Sequence, residues 1–319
     1  MKVLITGAAG FIASHVADAY LKAGHEVVII DNLVSGYQRN INPQATFYHM
    51  DICDPALEQV FAKEQPDIVN HHAAQVSVPR SISNPLYDVE VNVKGLINIL
   101  ECCVKYSVKK VIFISSGGAI YGEATEYPTT ENYAPKPLSV YAINKMVGES
   151  YLYFYHHQYG LNYTVLRYAN VYGPRQVSHG EAGVVSLFTE QMLAGVTPTI
   201  FRYPDQPEGM IRDYVYVGDV VQANLLALEH GEGQAFNIGT CTPTSTLKLY
   251  QELVRLFTSL HLPLVTSLPL FGIARQGDLR NSMLDFSKAR RNLGWEPKVN
   301  LAEGLANVIS YFSQLRSNA

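Results

Sequence analysis

Tyr141 and Lys145 stand four residues apart in Tyr141-Ala142-Ile143-Asn144-Lys145, a spacing that puts both side chains on one face of a helix. A phenol ordinarily ionises near pH ~10, and an adjacent ammonium favours its phenolate, so the pair can make a tyrosine base that works near neutrality. In a chain with 21 tyrosines the spacing also arises by chance, so its surroundings decide its meaning. Just upstream, Ser115-Ser116-Gly117-Gly118-Ala119-Ile120-Tyr121-Gly122 offers two hydroxyls and a glycine pair.

The segments that must position this pair read as alternating strands and helices. Lys2 to Thr6 is a short, nearly continuous apolar run, the pattern of a parallel strand buried on both faces. Gly7-Ala8-Ala9-Gly10-Phe11-Ile12-Ala13 follows, then a helical stretch ending on Gly24. A strand, a glycine turn and a helix in that order bring the backbone N–H groups of Gly7, Gly10, Phe11 and Ile12 toward a pyrophosphate at the helix N-terminus. The spacing is G-x-x-G-x-x-A rather than G-x-G-x-x-G, with Ala13 as the small residue where helix meets strand. A second strand, Glu26 to Ile30, ends in Asp31-Asn32, where a carboxylate suits ribose hydroxyls and repels a 2′-phosphate, so NAD is expected over NADP.

The alternation continues with a strand at Thr46 to His49, a helix at Pro55 to Lys63, a strand at Asp67 to Asn70, one long helix from Pro85 to Tyr106 and a strand at Lys110 to Ser115. The helix carrying Tyr141 runs from Ser139 to Tyr159, a strand follows at Tyr163 to Tyr168, and Asn170 to Arg175 reads as a turn. This order predicts an α/β fold, a doubly wound parallel Rossmann sheet with a smaller mixed α/β lobe. Residues 1–170 are expected to form the NAD-binding domain and 171–319 mainly the second lobe, with some segments returning to the first. Ligands bind at the carboxyl ends of such strands, which places Asp51-Ile52 beside the adenine and Ala73, Ala74 and Gln75 near the phosphates and nicotinamide ribose.

Composition narrows the partners. The formal net charge is -4 and no basic run occurs, which argues against a nucleic-acid or anionic-membrane surface. Cys53, Cys102, Cys103 and Cys241 lack C-x-x-C spacing and read as reduced thiols. His71-His72 and His156-His157 have no carboxylate cluster to complete a metal shell. With no apolar run of membrane-spanning length and an N-terminus that enters a strand at once, a soluble cytoplasmic protein is expected.

Read together, Gly7-x-x-Gly10-x-x-Ala13, Asp31-Asn32, Asp51-Ile52, His72-Ala73-Ala74, Asn92, Ser115-Ser116, Tyr121-Gly122, Tyr141-x-x-x-Lys145, Arg167-Tyr168-x-Asn170-Val171-Tyr172-Gly173-Pro174 and Arg212-Asp213-Tyr214-Val215 resemble the extended short-chain dehydrogenase/reductase family, within it the UDP-glucose (UDP-galactose) 4-epimerase branch. The resemblance implies NAD-dependent inversion at C4 of a nucleotide sugar through a transient 4-keto sugar. Tyr141 would be the base, and Lys145 would bind the nicotinamide ribose and depress the Tyr141 pKa. Asn92, Ser115 and Tyr168 would complete the cofactor site. Asn170, Arg212, Arg275 and Asp278 would hold the sugar diphosphate and uridine ribose, Phe201 would stack on the base, and Ser282 would gate sugar size, its smallness leaving room for N-acetylated forms. A homodimer built on the 85 to 106 helix and the Tyr141 helix is also implied.

The sequence departs from the family pattern at several positions. The family hydroxyl four residues before the Y-G pair falls on Gly117, which cannot donate, so Ser116 is expected to take the role, with Gly117 and Gly118 lining the sugar. Gly118 and Ala119 stand where related dehydratases carry Asp and Glu, which removes the acid-base pair for elimination. Val184-Val185 replaces the usual Asn-Leu, with Val185 expected at the diphosphate. Two readings remain beside the 4-epimerase: an epimerase or reductase on a CDP-, GDP- or ADP-linked sugar, and a non-catalytic NAD(H)-sensing protein.

Overall fold

Six short runs in the first 168 residues form parallel strands, five of them largely buried between helices and the third half-exposed at the sheet edge. In the computed structural model, which describes residues 1–177, 183–263, 266–275 and 278–317, these are β1 (Lys2–Thr6), β2 (Glu26–Asp31), β3 (Thr46–His49), β4 (Ile68–His71), β5 (Lys110–Ser116) and β6 (Asn162–Tyr168). They are joined through α1 (Phe11–Lys22), α2 (Leu57–Glu64), α3 (Val78–Ser83), α4 (Pro85–Val89), α5 (Gly95–Lys105), α6 (Gly117–Ile120) and α7 (Val140–Tyr159). The expected single helix from 85 to 106 is corrected: it begins as α4, passes through a π-helical turn at Glu90–Lys94 and resumes as α5.

The region from 170 to 175 is also not simply a turn. It opens with β7 (Asn170–Tyr172), which pairs parallel with a later strand. The remaining elements are α8 (Val184–Leu193), β8 (Thr199–Arg202), β9 (Ile211–Tyr216), α9 (Val217–Ala227), β10 (Gln234–Ile238), β11 (Pro243–Ser245), α10 (Thr246–Ser259), β12 (Leu270–Ile273), α11 (Ser287–Leu293) and α12 (Leu301–Ser317). The main sheet has seven parallel strands in the order β10-β6-β5-β4-β1-β2-β3. The order reverses between β1 and β4, the switch point where such sheets open a crevice. Two small sheets, β11-β9-β7 and β12-β8, belong to the later part of the chain.

Apolar layers cover both faces of the main sheet. One layer includes Ile5, Val16, Tyr20, Ile112, Val220, Phe236 and Trp295, and the other Leu4, Phe61, Leu96, Phe113, Leu152 and Val165. A third cluster around Tyr172, Phe188, Tyr250, Phe257 and Phe312 fills the later lobe. Among the described residues no helix is long and apolar enough to cross a membrane.

A close approach between the first turn and the rest of the fold falls at Gly7. Its φ is +73°, and a Cβ there would lie 2.8 Å from the Ala73 backbone nitrogen, so both the left-handed backbone and the contact with the β4 loop require glycine. Gly7→Ala is expected to lower stability by roughly 1–3 kcal/mol. A thermal melt of the protein without added cofactor measures it; an unchanged midpoint contradicts this account.

Candidate active site

The site assembles where β1, β2, β4, β5 and β6 end. Gly10 N–H closes the first turn onto the Gly7 carbonyl at 3.0 Å, and α1 starts with neither a side-chain cap nor an acidic residue in its first turn. The N–H groups of Phe11 and Ile12 therefore open an uncapped, electropositive helix end. Asp31 accepts from the Ala9 N–H at 2.9 Å and the Leu33 N–H at 2.8 Å, so the carboxylate expected at a ribose also braces the glycine turn. Burial pushes its pKa up against these bonds. Asn32 donates to Asp51 at 2.7 Å, and Asp51 accepts from the Cys53 N–H at 2.8 Å. Burial would raise Asp51, but these bonds outweigh it and hold the carboxyl below its ordinary range. Ile52 is buried beneath this loop, its carbonyl accepting from Asn98 at 2.7 Å. Glycine turn and bare helix end supply the N–H donors and the terminal carboxylate the acceptor that a dinucleotide needs, and the residues present fit it.

The loop after β4 is held from behind. Ala73 N–H donates to Thr6 Oγ1 at 3.1 Å, Ala74 follows partly exposed, and Gln75 is buried. Asn92, inside the π turn, accepts from the Gln75 N–H at 2.9 Å and donates to the Gln75 carbonyl at 3.0 Å and to Asp88 Oδ1 at 3.0 Å. Asn92 thus fixes the loop that faces the crevice. Tyr168 is buried, its hydroxyl accepting from Asn224 at 2.7 Å, and burial pushes its phenol well above the ordinary value.

At the centre, Ser139 caps α7 by accepting from the Ala142 N–H, so Tyr141 and Lys145 lie on its first two turns. Lys145 Nζ donates to the Ile114 carbonyl at 2.9 Å and lies 5.1 Å from the Phe113 ring centroid and 5.9 Å from that of Tyr141. Burial lowers its pKa to about 8, opposed by Asp88 and Glu149. Burial pushes Tyr141 up to about 12; a hydrogen bond with the Ser116 hydroxyl pulls it down and Asp88 pushes it further up. In the protein alone the phenol is therefore protonated at neutral pH, and the Ser116 hydroxyl is one neighbour that lowers it.

Strand alternation sends Ser115 the other way. Its hydroxyl donates to Glu149 at 2.6 Å, leaving only its backbone on the crevice side. Glu149 also accepts from Arg167 Nε and Nη2, and Arg167 Nη1 donates at 2.8 Å to the Tyr121 hydroxyl, which donates at 2.8 Å to Asn237. At Gly117 a Cβ would lie 2.5 Å from Leu284 Cδ1 and 3.1 Å from the Arg167 carbonyl, so a side chain there would enter the packed layer, and only the backbone can line the sugar. Gly118 instead faces the crevice, where a Cβ would stand 3.6 Å from Asn170 Oδ1 and 4.0 Å from Ser282 Oγ. Asn170 Oδ1 is buried with no hydrogen-bond partner, an acceptor aimed at this shared space.

Several expected substrate contacts are differently engaged. Val185 packs in the later core with Phe188 and Tyr250, so only its backbone in the first turn of α8 can face a ligand. Arg212 donates to the carbonyls of Ile211 at 2.9 Å, Arg280 at 3.3 Å and Leu279 at 2.7 Å, bracing the 279–280 turn. The Tyr203 hydroxyl donates to the carbonyls of Arg275 and Asp278 and holds them together; Gln276 and Gly277 between them lie outside the described residues. Phe201 is exposed on β8, against Gly272 of β12. Sequence reasoning missed Asp88, Asn144 and the Glu149–Arg167 pair. Asp88 and Asn92, four apart, carried the only signal.

These placements predict opposite outcomes at neighbouring positions. Ser116→Ala is expected to reduce turnover roughly 10- to 100-fold and to move the acidic limb of its pH profile upward, because a group that lowers Tyr141 is lost. Gly117→Ser is expected to melt at lower temperature without any gain in turnover. A Gly117→Ser enzyme that rescues Ser116→Ala would contradict the assignment.

The comparisons with known proteins converge on one family. Residues 3–239 match the model of the NAD dependent epimerase/dehydratase family. The chain is 42% identical over 318 residues to the UDP-glucose 4-epimerase of Mycolicibacterium smegmatis, covering 98% of each chain. The UDP-glucose 4-epimerase of Thermotoga maritima, solved with UDP-glucose, superposes with a TM-score of 0.94 at 47% identity over 99% of this chain and 100% of that one. The UDP-N-acetylglucosamine 4-epimerase of Methanobrevibacter ruminantium, solved with UDP-N-acetylmuramic acid, gives 0.90 at 31% identity over 98% of both. With its glycine turn, strand-end carboxylate and Ser116–Tyr141–Lys145 cluster in place, this chain belongs to the NAD dependent epimerase/dehydratase family.

Proposed function

We propose that the protein interconverts UDP-glucose and UDP-galactose by epimerisation at C4 of the sugar, with NAD held in the β1–β4 crevice. The observation that carries the reading is the desolvated Tyr141 phenol, with Lys145 5.9 Å from its ring, beside a glycine-walled space with no carboxylate at positions 118 and 119. That arrangement handles one proton at one carbon and lacks a second acid for elimination. The relatives named above act on UDP-sugars and support the same substrate class.

When bound, NAD supplies a hydride acceptor and donor, and its oxidised ring adds positive charge near the phenol. The chain's own residues do the rest. Tyr141, as phenolate, takes the proton of the C4 hydroxyl while C4 loses hydride and becomes a ketone. After the sugar turns about its phosphate linkage, hydride returns to the opposite face and Tyr141 gives the proton back. Ser116 holds the reacting hydroxyl against Tyr141, and Lys145 fixes the ribose side. Asn170 accepts from a sugar hydroxyl, and Gly118 leaves the turning ring unobstructed. Arg275 and Asp278 grip the nucleotide remotely, which leaves the reacting sugar free to rotate. In this reading residues 1–170 hold the cofactor and 171–319 chiefly the sugar nucleotide.

The small side chain of Ser282 beside Gly118 supports acceptance of N-acetylated sugars as well. A homodimer in the cytoplasm is part of the same reading. Ile143, Tyr153 and Phe154 of α7 and Leu86 of α4 are exposed on neighbouring helices, Tyr153 at 65% and Leu86 at 81%, and a second copy would cover them.

Proton NMR of UDP-galactose incubated with the protein and NAD+ tests the reaction. The glucose epimer is expected without net NADH, with a rate roughly 10²- to 10⁴-fold lower in Tyr141→Phe. Bound NAD with no conversion of any nucleotide sugar would overturn it in favour of an NAD(H) sensor. UDP-N-acetylgalactosamine should also be converted, and Ser282→Leu should abolish that activity while sparing UDP-galactose. Equal loss on both sugars would remove the size-gating role.

A further inference from the structure

Asp88 is a fully buried carboxylate on α4, and none of the chemistry above uses it. Three amides from three segments converge on it: Gln75 Nε2 at 2.6 Å from the β4 loop, Asn92 Nδ2 at 3.0 Å from the π turn and Asn144 Nδ2 at 2.6 Å from α7. Asn144 is the residue before Lys145 and three after Tyr141, so the cluster sits against the turn that carries the reacting pair. All three of these donors are neutral. The amides satisfy the carboxylate oxygens but bring no charge of their own, so the Asp88 charge acts on its neighbours across a low-dielectric interior.

We propose that Asp88 is the counter-charge of Lys145: a positioning residue, locked by Gln75, Asn92 and Asn144, that keeps the lysine ammonium charged inside the protein beneath Tyr141. Asp88 and Asn92, four residues apart, share one helical face and so meet the same loop. The charged and titratable groups around Lys145 are few. They are Asp88 from α4, Glu149 from its own helix, His71 and His72 from the end of β4, and the Tyr141 phenol, with the Phe113 face from β5. Glu149 is bound by Arg167 and Ser115, and both histidines are pushed down to about 3 by burial, so they are neutral at physiological pH. Asp88 is the remaining anion, and it opposes the burial that lowers Lys145. The same charge raises Tyr141, so the cluster sets both members of the pair together.

Asp88→Asn and Asp88→Ser remove the charge, and Asp88→Glu keeps it; either neutral variant that gives a cooperative melt suffices. Tyrosine carrying ¹³C at Cζ, with Tyr141→Phe to assign the signal, reports the Tyr141 titration by NMR in protein without cofactor or substrate. The midpoint is expected to fall in a neutral variant and to stay at the wild-type value in Asp88→Glu. The kinetic test rests on the epimerase reading: the alkaline limb of kcat should also move down in a neutral variant, and above the midpoint the rate should fall roughly tenfold for every pH unit the limb moves. Identical titration midpoints in wild type and a neutral variant would overturn the proposal, as would an equally lowered midpoint in Asp88→Glu. A wild-type protein that turns over no nucleotide sugar would defeat the epimerase reading alone, since the tyrosine titration decides the role of Asp88 without it.

Discussion

The grip of Glu149 on Arg167 fixes everything catalytic in this fold. Glu149 lies on α7 one turn beyond Lys145, and Arg167 lies on β6, so their two-pronged contact pins the Tyr141 helix to the sheet. Burial opposes the Arg167 charge, and Glu149 and Tyr121 more than offset it. Removing one partner of such a buried pair costs about 3–5 kcal/mol, because the survivor is left charged and unsolvated. Ser115 donates to the same carboxylate, which turns its neighbour Ser116 toward Tyr141 by simple strand alternation. One ion pair thus decides both where the base stands and which serine serves it.

From that anchor the site is built outward in layers that differ in rigidity. On the cofactor side the carboxylates are already engaged, by backbone at Asp31 and by amides around Asp88, so the walls are fixed while the N–H groups that open α1 stay uncapped. On the sugar side the opposite holds: a glycine, a small serine and an Asn170 oxygen without a partner bound the space. A reaction in which one ligand must stay and the other must turn over needs this asymmetry.

Much of this was legible in the sequence, for identifiable physical reasons. A parallel strand buried on both faces is written as an unbroken apolar run, so β1 fell where expected, and the Ser139 cap and Gly160 bracketed α7 correctly. Features that depend on the direction of a side chain were not legible. Gly117 faces Leu284, which follows from the twist of the strand-to-helix junction and not from residue type. The π turn leaves no compositional trace, since Glu90 to Lys94 contains neither proline nor glycine. Arg212 looked like a phosphate ligand by charge, yet its donors are occupied by the carbonyls of a turn almost seventy residues away, a long-range contact that local reading does not see.

The seventh strand of the main sheet has a meaning for how the molecule comes into being. β10 pairs with β6 only after β7, β8, β9 and two helices have intervened, and α9, just before it, packs against α1. While the chain is being made, β6 is an open edge with unpaired N–H and C=O groups, a template for pairing with another nascent chain. The edge at β6 therefore stays uncovered until much of the later lobe has left the ribosome, and the later lobe is what finally shields it.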